Sequence, residues 1–99
     1  MPSPSELRPF TVDRDEHQLT LRRDGVVVGY LDWRIGDRLI HIDFVHVDPP
    51  LRGHGLGARL VDAAANHARE TGRRLVPICG YAAWVLRSDA KFSDVFEGP

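Results

Sequence analysis

Three glycines at alternate positions, Gly53, Gly55 and Gly57, stand in the stretch DPPLRGHGLGARLV (48–61), directly before an apolar run with helical spacing. A strand-to-helix turn of this composition is suited to holding an anion. The first N–H groups of a helix lack intrahelical partners, and the aligned peptide dipoles place about half a positive charge there. Glycines let a phosphate reach that backbone with no Cβ in the way, and Arg52 and His54 flank the turn with charge-assisted donors. The same composition also suits a tight turn with close helix–strand packing and no ligand. Three further side chains have chemical capacity: Cys79, the single thiol of the chain, His46 and Tyr81. Cys79 is either a small apolar residue or, if its pKa is brought down from about 8.5, a nucleophile. His46 is a candidate general base or an ordinary strand histidine. Tyr81 is a proton donor or an anchor for the segment that follows it.

The spacing narrows what the turn could hold. A P-loop ends in Gly-Lys-Ser/Thr, whereas Gly57 is followed by Ala58-Arg59. A dinucleotide fold needs G-x-G-x-x-G after the first strand of a parallel sheet, and these glycines follow a meander. The run His41-x-Asp43-x-x-His46 invites a metal reading, but on a regular strand His46 faces away from His41 and Asp43, so convergence requires a bulge. No metal site is expected. Tyr30, Trp33 and Trp84 lack basic interleaving, which argues against a nucleic-acid stacking surface.

The elements that position these residues follow from periodicity. HQLTLRR (17–23) alternates, with Leu19 and Leu21 on one face. Asp24-Gly25 is a hairpin turn, because both residues tolerate positive φ. VVVGYLDWRI (26–35) sends Val27, Leu31, Trp33 and Ile35 one way and Val26, Val28, Tyr30, Asp32 and Arg34 the other. Gly36-Asp37 makes a second turn, and RLIHIDFVHV (38–47) aligns Ile40, Ile42 and Phe44 on one face. After the glycines the period becomes helical. Leu56, Leu60, Val61, Ala64 and Ala68 form the apolar stripe, and Gly72 ends the helix. RLVPIC (74–79) is a strand parallel to 38–47 through a right-handed crossover. Pro77 within it implies an edge, a bulge or a missing neighbour. Residues 81–96 read as a second helix, with Ala82, Val85, Leu86, Phe92 and Phe96 toward the sheet. The fold class is α/β, a mixed and mainly antiparallel sheet in the order β-β-β-α-β-α. Cys79 then falls at the C-terminal end of the parallel strand, where open α/β sheets place their ligands.

Arg52-Gly53-His54-Gly55-Leu56-Gly57-Ala58 resembles the R/Q-x-x-G-x-G/A motif of the GCN5-related N-acetyltransferases, and the preceding strand ending in VHVDPPLRG is similar to theirs. Val76-Pro77-Ile78-Cys79-Gly80-Tyr81 resembles the V-P-x-C-x-F/Y signature of a very small subgroup of about this chain length. The two motifs occur in the right order, and the likeness spans roughly residues 17 to 96. The chain departs from the subgroup at Gly80, where a proline is usual, at His46, where a glutamate is common, and at Arg87-Ser88-Asp89-Ala90-Lys91-Phe92, which lacks the subgroup's histidine and proline.

The resemblance implies a minimal acyl-CoA N-acyltransferase fold with acetyl-CoA as cosubstrate. The turn's N–H groups would hold the coenzyme A pyrophosphate, and the pantetheine arm would lie where strands 38–47 and 74–79 splay apart. Val47, Arg52, Gly53, His54, Gly55, Leu56, Gly57, Ala58 and Cys79 are the implied coenzyme contacts. Cys79, His46 and Tyr81 are the implied catalytic candidates. Cys79 either carries the acetyl group covalently or lines the pocket. His46 deprotonates the amine directly or through water, or stands only as a strand histidine. Tyr81 protonates the leaving thiolate or anchors the last helix. The implied activity is acetyl transfer to a primary amine on a small molecule, peptide or protein; the alternative is a coenzyme A-binding module or sensor without turnover.

Composition bounds the rest. Ninety-nine residues make one domain, expected over 9–99 behind a frayed leader at 1–8. With 13 Lys+Arg against 14 Asp+Glu, the net charge of -1 gives no electrostatic reason to expect nucleic acid or an anionic membrane as partner. The hydrophobic fraction of 42% is that of a soluble globular protein, and no apolar run approaches the roughly 18 residues of a membrane span. A single cysteine and an N-terminus without a basic leader or apolar h-region fit a reducing, cytoplasmic setting. A monomer or weak dimer is expected.

Overall fold

The computed structural model describes residues 10–97, so the leader expected at 1–8 lies outside the described residues. Five strands form one sheet in sequential order: β1 (Thr11–Arg14), β2 (Gln18–Arg23), β3 (Val26–Ile35), β4 (Leu39–Val47) and β5 (Arg74–Pro77). The first four pair antiparallel, and β4–β5 is parallel. Helix α1 (Leu56–Thr71) makes the crossover and α2 (Gly80–Ser88) follows β5, with short 3-10 turns at Pro49–Leu51 and Ala90–Phe92.

Local chemistry accounts for most of the boundaries. Asp24 (φ 55°) and Gly25 (φ 77°) both take the left-handed conformation a two-residue hairpin needs. Gly72 (φ 68°) closes α1, its N–H turned back onto the carbonyls of Ala68 and Arg69. The expected stripe of α1 is buried, with Ala65 added, against Leu19, Leu21, Leu31, Trp33, Ile40 and Ile42 of the sheet. Ala82, Val85 and Leu86 of α2 and Phe92 and Val95 beyond it join the same cluster. Each such Leu, Ile or Val contributes about 1.5–3 kcal/mol by leaving water. Both helices therefore cover one face of the sheet. The other face carries Gln18, Arg22, Tyr30, Asp32, Arg34, His41, Phe44 and His46, and no described element covers it.

Three expectations are corrected. Strand β1 is additional to the β-β-β-α-β-α order: four residues, mostly exposed, carry too little alternation to announce themselves. The faces of β3 and β4 change at two register shifts. Val28 is an extra residue opposite Leu21/Arg22, and Asp43 is one opposite Asp32/Trp33. A bulge displaces the alternation by one position, so Val28 is buried where Val27 is exposed, and Phe44 leaves the face of Ile40 and Ile42; Ile35 keeps its face, opposite Ile40, and is exposed at the end of β3. Finally, the helix expected over 81–96 ends at Ser88. Asp89 accepts the Lys91 N–H at 2.9 Å to open the next turn. The chain then returns beside β5, with Leu75 N–H on the Val95 carbonyl at 2.6 Å and Glu97 N–H on the Leu75 carbonyl at 2.9 Å. Pro77 stands beyond that bridge, at the last pair of β5, opposite Ile42.

Candidate active site

The parallel pairing of β4 and β5 stops at Ile42–Pro77. The Ile42 carbonyl accepts both the Ile78 N–H at 2.9 Å and the Cys79 N–H at 3.1 Å, after which β5 turns into α2 and β4 runs on without a neighbour on that edge. The expected splay is thus present. A groove of about 620 Å³ opens beside it, lined by Phe44, Val45, His46, Val47, Leu51, Arg52, Gly53, Gly55, Leu56, Gly57, Ala58, Tyr81 and Trp84. The bulge at Asp43 sets this lining. Past it, Val45 and Val47 turn toward the helix side while Phe44 and His46 face the uncovered side. Gly29, opposite Val47, allows the approach, since a Cβ there would lie 2.8 Å from the His46 carbonyl oxygen.

The glycine turn forms the groove's anion-facing end. Gly53 (φ 84°) and Gly55 (φ 79°) are left-handed, with nothing within 4 Å of where a Cβ would stand, so both backbones lie open. Gly55 is the N-cap residue of α1; no side chain caps the helix and no acidic residue stands in its first turn. The N–H groups there remain available to a ligand, as anion binding requires. Arg52 donates from Nε to the Val47 carbonyl at 2.8 Å, tying the turn to the end of β4. His54 is exposed on the turn.

Gly57 has another reason to be glycine. A Cβ there would lie 2.7 Å from the Tyr81 hydroxyl oxygen. That oxygen also faces the Ala58 N–H, so the phenol of α2 packs over the first turn of α1. Burial is the main cause that raises the Tyr81 pKa above its ordinary value; the Ala58 N–H opposes it and the neighbouring Cys79 adds to it. The phenol is therefore protonated at neutral pH. Cys79 is the half-buried N-cap residue of α2, packed against the core at the border of the groove. His46 pairs through Nε2 with Asp48 at 3.3 Å, and its ring lies 5.2 Å from that of Tyr30.

Of the residues singled out in the sequence, His46, Val47, Arg52, Gly53, Gly55, Leu56, Gly57, Ala58 and Tyr81 share the groove, while His54 and Cys79 border it. Phe44, Val45, Leu51 and Trp84 are groove residues that the pattern did not reveal; the one available signal was an aromatic at 84 outside the apolar stripe of α2. The bulge that a His41–Asp43–His46 metal site would need does occur, at Asp43, but its carboxylate takes Arg34 through two bonds of 2.7 and 2.9 Å.

A β4–α1–β5 unit with a glycine-edged helix N-terminus beside splayed parallel strands defines an acyl-CoA N-acyltransferase type of site. The family profile of the GCN5-related N-acetyl-transferases matches residues 17–95, and the chain belongs to that family. It is similar to the solution structure of a GCN5-like protein from Staphylococcus aureus, at 25% identity and a TM-score of 0.73, covering 90% of this chain and 89% of that one. It is also similar to a ribosomal-protein-alanine N-acetyltransferase from Brucella melitensis (25% identity, TM-score 0.62), covering 77% of this chain and 63% of that one. A third similar structure is Rv2747 from Mycobacterium tuberculosis, solved in complex with CoA (25% identity, TM-score 0.61), covering 73% of this chain and 46% of that one. Comparison with curated protein sequences gives no match.

Proposed function

We propose that the chain binds acetyl-CoA in the groove and transfers its acetyl group to a primary amine. The observation that carries this reading is the uncapped, glycine-edged start of α1 facing the gap between β4 and β5. The CoA bound by Rv2747 supports it. The N–H groups of residues 53–57 hold the pyrophosphate, with Arg52 and His54 adding positive charge, while Val47 and the free edge of β4 bound the pantetheine arm. Acetyl-CoA supplies an activated thioester. The amine nitrogen bonds to the acetyl carbon, the C–S bond breaks, and the amine's proton goes to His46. With Nε2–H donated to Asp48, the histidine's Nδ1 carries the lone pair that accepts it. The Tyr81 hydroxyl, protonated at neutral pH because burial raises its pKa, has its own proton for the departing sulfur. Cys79 stands close enough to Tyr81 to perturb its titration, which suits either a pocket wall or a covalent acetyl carrier. The work falls to one domain, residues 9–99, in a cytoplasmic setting suited to its unpaired cysteine.

Calorimetry and thermal melting test the reading. Acetyl-CoA at 100 times its Kd adds about 2.7 kcal/mol, which raises Tm by roughly 10–20 °C for a domain of this size. No shift at millimolar ligand removes the coenzyme reading. Binding with no amine acetylated makes the chain a coenzyme A-binding module. Intact mass separates the two roles of Cys79: an acetyl adduct lost in Cys79→Ala supports a carrier, and unchanged turnover in that variant leaves it a wall.

A further inference from the structure

Four large apolar side chains stand exposed around the point where β4 and β5 part: Phe44 (50%), Ile78 (59%), Tyr81 (40%) and Trp84 (64%). The other exposed large apolar residues, Val26, Val27 and Ile35, lie at the ends of β3. Phe44, Tyr81 and Trp84 line the groove, and Ile78 leaves β5 with its N–H on the Ile42 carbonyl. The Tyr81 and Trp84 rings are 6.1 Å apart, and Tyr30 lies 6.1 Å from Phe44 on the uncovered face. Apolar side chains gathered at the reacting end of a groove mark a binding surface. An acetyl group, with one methyl, does not occupy them.

Two of the carboxylates bordering this rim are paired: Asp43 holds Arg34, and Asp48 faces His46 at 3.3 Å. Asp32, opposite Phe44, accepts from the neutral Gln18 amide at 2.8 Å, and Arg52 is turned onto the Val47 carbonyl. Aromatic and aliphatic side chains therefore make up most of the rim.

We propose that this rim binds the body of the acceptor, and that the acceptor is a hydrophobic primary amine, an arylalkyl- or alkylamine. The inference rests on the acetyl-transfer reading and names its substrate class. Aromatic faces attract the ammonium form. The apolar body excludes water from the rim, and His46 stands beside Tyr30 at the same rim; the ammonium gives up its first proton to solvent before the free amine attacks.

Acetyl-CoA binding is measured first by calorimetry on the full chain; its absence overturns both the acetyl-transfer reading and this inference. With binding present, kcat/KM is compared for 2-phenylethylamine, hexylamine, spermidine, glutamate and a lysine peptide. The hydrophobic amines are expected to lead by at least about tenfold. Trp84→Ala and Phe44→Ala are expected to raise KM for 2-phenylethylamine about tenfold, a larger change than in the Kd of acetyl-CoA, whose groove they also line. Trp84→Phe restores most of the loss. Preference for spermidine, glutamate or the peptide overturns the inference alone, as does failure to acetylate any of the five. Losses in both alanine variants that fall on acetyl-CoA also overturn it, by assigning the rim to the coenzyme.

Discussion

Gly57→Ala separates the fold's need for this residue from the site's. The new Cβ would stand 2.7, 2.8 and 2.9 Å from Oη, Cε2 and Cζ of Tyr81, all inside contact distance. The ring is the half-exposed end of a side chain, so the strain is relieved by swinging it into solvent instead of distorting α1. That movement takes the ring off α1 and the hydroxyl away from the Ala58 N–H, a loss on the order of 1 kcal/mol. Replacing glycine by alanine in a helix returns up to about 1 kcal/mol. The two effects nearly cancel, so Tm is expected to move by no more than about 5 °C. The site changes more. A released phenol is no longer buried, so its raised pKa falls back toward the ordinary tyrosine value. Ultraviolet difference titration of the two tyrosines, with Tyr81→Phe to assign the signals, reads this directly. Acetyl-CoA affinity should weaken, because the wall beside the first turn of α1 has moved. Gly57→Ala and Tyr81→Phe should also be non-additive, since each alters the same contact of the Tyr81 hydroxyl with the first turn of α1. If Gly57→Ala leaves both the tyrosine titration and the acetyl-CoA affinity as they were, Tyr81 does not pack on α1 and the reasoning is wrong.

Gly55→Ala should behave differently. The space around it is open, so the cost is the left-handed φ of 79°, about 1–2 kcal/mol, seen as a Tm drop of roughly 5–15 °C. The Cβ then projects beside the N–H groups, and acetyl-CoA affinity should fall with it; a full loss of Tm with intact affinity would refute the cradle. His67 predicts a pH dependence. It stacks on Trp33 at 5.2 Å and accepts from Arg14 Nη1 at 2.8 Å. Burial, then Arg14 and Arg73, lower its pKa from 6.5, while Glu70 opposes them. A base whose folded pKa is depressed contributes stability that is complete above its unfolded pKa and lost as pH falls through the folded value. Tm should therefore decline below about pH 6.5, and His67→Gln should flatten that decline. An unchanged slope in the variant would assign the acid sensitivity elsewhere.

The parts legible in the sequence are those whose cause is local. Asp24-Gly25, Gly72, the stripe of α1 and the open turn at Gly53 and Gly55 each follow from backbone freedom or from spacing within a few residues, and each occurs as read. Strand β1 was not legible, because Thr11–Arg14 has one inward side chain and depends on β2 for its pairing. The end of the second helix was misread because Phe92 and Phe96 are apolar at helical spacing yet belong to a 3-10 turn and a β-bridge.

What the sequence by itself determined is the order of elements around the glycines and the exposed helix start that can hold an anion. Tertiary structure alone decided which residues face it. The extra residue at Asp43 exists only in relation to Asp32 and Trp33 across the sheet, and it is this pairing that turns Phe44 and His46 one way and Val45 and Val47 the other. The contact of Tyr81 with Gly57 and Ala58 likewise joins positions more than twenty residues apart. Periodicity along a chain records the pull of one buried face. It holds no record of where a partner strand slips by one residue, or of which side chain on a second helix covers the start of the first.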